Sequence, residues 1–264
     1  MLRIRGSARL LVLLGASGSG KSSLLRADVL PRLARSGHRW LLVPPFRPQS
    51  APCQALAQAL TLAGRDDRDW RRLDRRLREA SSTAQLAALL QGLAADLRLA
   101  HQAPGAQILL SVDQAEERFA EAESAEVRRF FTLLSTAITT AESFQVILTL
   151  RSDFLGALQA ASGLTIRLQE MSLSPLPSER IASIIQGPAQ VAGIRVEGAF
   201  VQAASHGAQS EDALPLLAFA LREIFDRAGC DGVLSLSDYQ TLGDADAQLS
   251  PPWRTPCAAP QMGG

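Results

Sequence analysis

The chain has 264 residues, of which 47% are hydrophobic and 20% charged, a composition that supports one large domain or two small ones and excludes wholesale disorder. A formal net charge of +1 at pH 7 excludes capture of an anion by the overall field, so an anion must be held by a local arrangement. Three distant cysteines, Cys53, Cys230 and Cys257, form no C-x-x-C pair; this gives no zinc site and fits a reducing compartment, here expected to be cytoplasmic.

Arg9 to Leu14 reads as a strand and leads into Gly15-Ala16-Ser17-Gly18-Ser19-Gly20-Lys21-Ser22-Ser23. Ser22 to Leu33 then carries Leu24, Leu25, Val29, Leu30 and Leu33 at near-helical spacing. An export signal would need an apolar run of roughly 7–15 residues, and Leu10 to Leu14 is too short. A flexible linker would not be flanked by a strand and a helix. No stretch approaches the ~18 apolar residues of a membrane span. Strand, glycine loop and helix are the setting of the phosphate loop, G-x-x-x-x-G-K-[ST]. Gly15, Gly18 and Gly20 let main-chain N–H groups turn inward on an anion, and the helix start adds its positive dipole end. Lys21 is the single lysine of the chain, every other basic residue being arginine. It is expected to reach the β- and γ-phosphates of a nucleotide, with the Ser22 hydroxyl on Mg²⁺. Ala16, Ser17, Ser19 and Ser23 belong to the same expected ATP/ADP-binding stretch.

Trp40 to Val43 reads as a short buried strand, Pro48 to Pro52 as a loop and Ala55 to Leu62 as a helix. Asp66 to Ala80 interleaves acids with arginines around an apolar stripe of Trp70, Leu73 and Leu77. That predicts a salt-bridged helix rather than a nucleic-acid patch. Thr83 to Ala100 is a further helix. Ile108 to Val112 reads as a fully buried strand ending on Asp113, Ala125 to Thr139 as a helix capped by Ser124, and Phe144 to Leu150 as a buried strand ending at Arg151. Leu164 to Leu168 is a candidate for one more. Alternating buried strands and helices predict a parallel sheet covered on both faces, with ligands at the carboxyl ends of its strands; Gly15, Asp113 and Arg151 all fall there. From Pro175 the pattern turns helical, over Pro177–Val191, Glu197–Ser205 and Ala213–Arg227, with Leu234 to Tyr239 a strand or turn. The expected division is a core over 1–173, a small helical unit over 174–243 and a disordered tail over 244–264.

Asp113 ends an apolar strand downstream of a phosphate loop, the position of a carboxylate that holds Mg²⁺ through water. Glu116 or Glu117 could orient or deprotonate an attacking water; alternatively they are acids favoured at a helix N-terminus. The stretches "GASGSGKSSLLRADVLPRL", "FRPQSAPCQALAQAL", "LLSVDQAEERF", "ILTLRSDFLGAL" and "LPLLAFALREIF" follow one another in an order that resembles the novel STAND NTPases of bacterial type, signal-transduction ATPases with numerous domains. The resemblance implies an α/β P-loop core of the additional-strand class, with the Asp113 and Arg151 strands in the sheet of the phosphate loop. It also implies a helical lid and a switch between ADP-held and ATP-held states. On the same basis Arg151 is the expected γ-phosphate sensor, supported by Asp153, and Pro215 the lid proline near the base. A helix-start arginine paired with Asp153 is the other reading of Arg151.

Three positions depart from the family pattern. Ala115 replaces the usual aromatic, Arg118 replaces an apolar residue, and Gln114 stands where many related ATPases carry a catalytic glutamate, so slow or no turnover is expected. No repeat array is detectable and only eight residues precede the first strand. A stand-alone or split unit and a truncated frame are the two readings, and the irregular tail favours truncation. The expected function is a regulatory ATPase with protein partners or self-assembly. A nucleotide-dependent scaffold and a P-loop kinase are the alternatives. Neither a membrane nor nucleic acid is indicated as a partner.

Overall fold

A computed structural model describes residues 9–37, 39–64, 69–117, 124–140, 144–174, 178–207, 221–222 and 232–246. Packing divides the chain into two units, Met1–Ala16 with Gly20–Leu173, and Ser174–Gly264 with Ser17–Ser19.

The first unit is built on a five-stranded sheet of β1 (Leu10–Gly15), β2 (Trp40–Leu42), β3 (Gln107–Val112), β4 (Phe144–Arg151) and β5 (Leu168–Ser172). All neighbours run parallel, in the order β2-β3-β4-β1-β5. The strand β4 is therefore inserted between the phosphate-loop strand and the Asp113 strand, which is the additional-strand arrangement. Registry does the positioning: Gly15 lies beside Arg151, and Val112 beside Leu148. The next pair along, Asp113 and Thr149, thus meets at the strand ends.

The β1 strand is buried on both faces because its two alternating residue sets each meet a helical layer. Leu10, Val12 and Leu14 join the larger core, which takes in α2 (Pro52–Ala63), α4 (Thr83–Ala100) and α5 (Ala125–Thr140). Leu11 and Leu13 pack on the other side against Leu25, Val29 and Leu30 of α1. That helix runs over 21–34 as α-helical Lys21–Ser23, π-helical Leu24–Val29 and α-helical Leu30–Ala34. Between α2 and α4 lies the arginine-rich α3 (Trp70–Glu79), held by Arg78 on both Asp74 and Glu126; Leu77 of its stripe is fully buried. Ser124 caps α5 by accepting from Val127 N at 3.2 Å.

Three expected boundaries need correction. The α2 helix starts at Pro52, three residues early, because proline at the first helical position surrenders no hydrogen bond. The last core strand is Leu168–Ser172, not Leu164–Leu168. Leu164 and Ile166 pack on the core from the preceding loop, whereas the half-buried 168–172 segment is an edge strand bonded only to β1. Leu234 to Tyr239 resolves into a strand end followed by a helix.

The second unit contains α7 (Ser178–Val191), α8 (Gly198–Gly207), α9 (Leu236–Asp246) and a two-residue parallel pair of β6 (Arg195–Val196) with β7 (Val233–Leu234); α6 (Leu155–Ala160) belongs to the first. Its core is Ile181, Ile185, Phe200, Val201, Ala204 and Leu234, with Tyr239 edge-on to Phe200 at 5.7 Å. The expected helix over Ala213–Arg227 lies outside the described residues except for helical 221–222, and Pro215 and the tail beyond 246 lie outside them as well.

Candidate functional site

The β1 strand delivers the chain to its carboxyl end at Gly15, where the glycine-rich turn begins. Gly18 and Gly20 have φ of 70° and 87°, the left-handed region that a side chain disfavours. At Gly20 a Cβ would meet nothing within 4 Å, so backbone conformation, not crowding, requires glycine there. Ser19 Oγ is buried without a partner among the described residues.

Lys21 is 7% exposed and donates to the carbonyls of Gly15 at 2.9 Å and Ala16 at 2.6 Å. An ammonium has three N–H donors, so one remains for a phosphate oxygen. Burial pulls its pKa below the ordinary lysine value and Arg151 adds to this, against the attraction of Glu116, Asp113 and Asp153. The ammonium is thus held in a place that an anion would relieve.

Asp113 is fully buried and saturated with donors. Its Oδ1 accepts from Ser22 Oγ at 2.6 Å and Thr149 Oγ1 at 2.8 Å, and its Oδ2 from Arg26 Nε at 3.2 Å and Nη2 at 3.0 Å. Burial pushes its pKa up, but the hydrogen bonds from Ser22, Thr149 and Arg26 outweigh this and hold it below the ordinary carboxylate value. Ser22 and Asp113, 91 residues apart in sequence, are thereby brought together. A hard divalent cation could take the Ser22 oxygen directly and Asp113 through water, completing its shell from phosphate and solvent. Among the described residues no cluster of three His, Cys, Asp or Glu side chains offers a second metal site.

Beyond β3 the chain turns sharply. Gln114 has φ of 56° and its N–H donates to Thr149 Oγ1 at 2.8 Å. Residues 115–117 then form a 3₁₀ turn, which separates the two glutamates: Glu116 is half-buried and Glu117 exposed. Glu116 Oε2 and Gln114 Oε1 are buried with no partner among the described residues. Burial raises the Glu116 pKa, opposed by its own N–H, the charge of Lys21 and the main-chain N–H and charge of Arg151. Arg151 itself is bidentate to Asp153, at 3.1 and 2.8 Å, with its guanidinium 5.6 Å from the Phe154 ring centre. The pairing anticipated in the simpler reading of Arg151 is therefore present.

Sequence reasoning missed Arg26 and Thr149. Arg26 follows Ser22 by one helical turn, and Thr149 is a polar residue inside an otherwise apolar run, "VILTLR"; these spacings single out the positions but not their shared partner, Asp113. A cavity of about 420 Å³ lies elsewhere, lined by Leu60, Leu73, Leu97, Arg72 and Arg76 of α2, α3 and α4.

A family model described as Novel STAND NTPase 1 matches residues 1–251. No curated protein matches the chain. Among solved structures the chain is similar to a Walker-type ATPase of Pyrococcus abyssi (15% identity, TM-score 0.57, 91% of this chain and 67% of that one). It is also similar to the ORC2 protein of Aeropyrum pernix, solved as ADPNP and ADP complexes (14%, 0.63, 92% and 63%), and to the ORC1 protein of the same organism, solved with DNA (13%, 0.58, 89% and 59%). The chain spans about three-fifths to two-thirds of these structures, and at such identities the likeness is one of fold. No helix among the described residues is long and apolar enough to cross a membrane.

Proposed function

The chain belongs to the Novel STAND NTPase 1 family, and on that premise we propose that it is a regulatory ATPase module that binds ATP and ADP with Mg²⁺ and hydrolyses slowly. The observation that carries this reading is the 2.6 Å hydrogen bond from Ser22 to buried Asp113 beside the chain's only lysine. A hydroxyl spending its hydrogen on Asp113 keeps its lone pairs for a cation. Residues 15–23 hold the phosphates through inward N–H groups and the third N–H of Lys21.

Glu116 orients or deprotonates the attacking water. Its unpartnered oxygen and raised pKa suit a base held in a dry place, whereas Glu117 is exposed. Arg151 reads the γ-phosphate once it leaves Asp153. Residues 174–243 act as a lid whose position follows the nucleotide, with Pro215 as the lid proline that the family resemblance implies. The nucleotide state is then a conformational signal delivered to protein partners or to further copies in a reducing cytoplasm. Gln114 at the position of the usual catalytic glutamate supports a slow rate and keeps the nucleotide-holding scaffold as the second reading.

Phosphate release under steady-state conditions separates the two. Glu116→Gln is expected to lower the rate by about 100-fold or more while leaving ATP affinity within a few-fold, and Glu117→Gln to stay near the parent. No release from the parent protein would leave the scaffold; equal loss in both variants would remove the assignment of Glu116.

A further inference from the structure

Arg26 deepens the nucleotide-site reading and rests on it. Asp113 has two oxygens with roughly four acceptor directions between them, and all are engaged. The donors on Oδ1 are fixed. The Thr149 hydroxyl is fully buried and pinned by accepting from Gln114 N, and Ser22 sits in the first turn of α1. The donor on Oδ2 is of a different kind: a guanidinium at the end of a flexible stem, its side chain 48% exposed, against a carboxylate that is 0% exposed. One oxygen is thus structural and the other is closed by a residue free to swing into solvent.

A second observation concerns the helix that carries Arg26. Directly after Ser23 it widens into six π-helical residues, Leu24–Val29, with Leu30 N–H bonded back to Leu25 O. Such segments are rare and concentrate at functional sites. This one begins beside the phosphate loop and presents Arg26 to Asp113 through both Nε and Nη2. A buried carboxylate lacking a counter-charge is costly, so the pairing supplies positive charge at the position a hydrated cation would approach.

We propose that Arg26 is a tethered counter-ion that occupies Asp113 Oδ2 and must yield it before the site can take a magnesium-bound nucleotide. Arg26 therefore sets the magnesium requirement of the site rather than binding the phosphates. When magnesium is scarce the guanidinium keeps Asp113 neutralised. When it is plentiful, Arg26 swings outward and the carboxylate turns to the cation's water. Without Arg26 the competition disappears and the site loads at lower magnesium.

The test is a magnesium titration of nucleotide affinity, with no turnover involved. The full chain, Arg26→Gln and Arg26→Lys are equilibrated with a fluorescent ADP analogue in EDTA, and MgCl₂ is added at constant ionic strength. Arg26→Gln is expected to reach its half-maximal response at about tenfold lower magnesium, the scale of one charge-assisted hydrogen bond. Arg26→Lys, which keeps the charge without the fork, falls between it and the parent; should Arg26→Gln not fold, that intermediate shift carries the test. An unchanged or higher magnesium midpoint in the variants overturns the proposal and makes Arg26 a group that holds Asp113 in place. A parent protein that binds the analogue at no magnesium concentration overturns the nucleotide reading itself, and this proposal with it.

Discussion

Lys21 illustrates how a single side chain is made specific by what surrounds it. In a chain otherwise reliant on arginine, a compact ammonium is the one cation that can fold back on its own loop and still offer an N–H. That much is legible in the sequence, because the loop and its lysine are contiguous. Thr149 and Arg26 are less so, since their roles depend on strand registry and on a widened helical turn that no local pattern encodes. The two glutamates show the same limit. Adjacent in sequence, they are separated by the left-handed Gln114 and the 3₁₀ turn after it, which bury half of one and expose the other. With a pKa raised by burial, Glu116 loses its charge at a higher pH than an ordinary glutamate. If its carboxylate form is the working base, turnover falls as pH drops through that raised value, and the acidic limb of the kcat profile lies above the ordinary value of about 4.3. An acidic limb at or below the ordinary value would show that another group carries the proton.

At the level of elements, the strands were the most readable parts, because buried parallel strands are continuous apolar runs. The edge strand β5 was the least readable. Its one-sided pairing leaves Gln169 and Glu170 in a pattern that composition does not distinguish from loop, and the apolar Leu164 and Ile166 before it pack without joining the sheet. That connection also contains a tightly specified turn. Gly163 has φ of 94°, and a Cβ there would approach Arg128 O to 2.7 Å and Thr132 Oγ1 to 2.8 Å. Its carbonyl accepts from Ser135 Oγ at 2.9 Å, and Ser135 Oγ in turn accepts from Thr165 N at 3.2 Å. Both conformation and space demand glycine, so Gly163→Ala is expected to destabilise the core unit by about 1–3 kcal/mol. Chemical denaturation followed by tryptophan fluorescence, with Trp40 and Trp70 in this unit, reads the change. A variant as stable as the parent would mean that the loop can move away from α5.

Across the whole molecule, the insertion of β4 between β1 and β3 brings the ends of three strands, distant in sequence, to one edge of the sheet. Gly15, Asp113 and Arg151 meet there because parallel strands joined by crossovers all point the same way. The fold, the family and the composition of the phosphate loop were legible from end to end of the core. In the second unit the helices expected over Pro177–Val191 and Glu197–Ser205 were legible to within two residues of α7 and α8, whereas β6 was not, because two residues carry no alternation to read. The central claim is that the loop over 15–23, with Asp113, gathers a magnesium-bound triphosphate. Titration of the full chain with a fluorescent ATP analogue in saturating magnesium, beside Lys21→Ala, tests it most directly. Saturable binding by the parent and a loss of about 10- to 100-fold or more in the variant are predicted, from one buried charge-assisted contact. No binding by the parent, or equal affinity in Lys21→Ala, would contradict it.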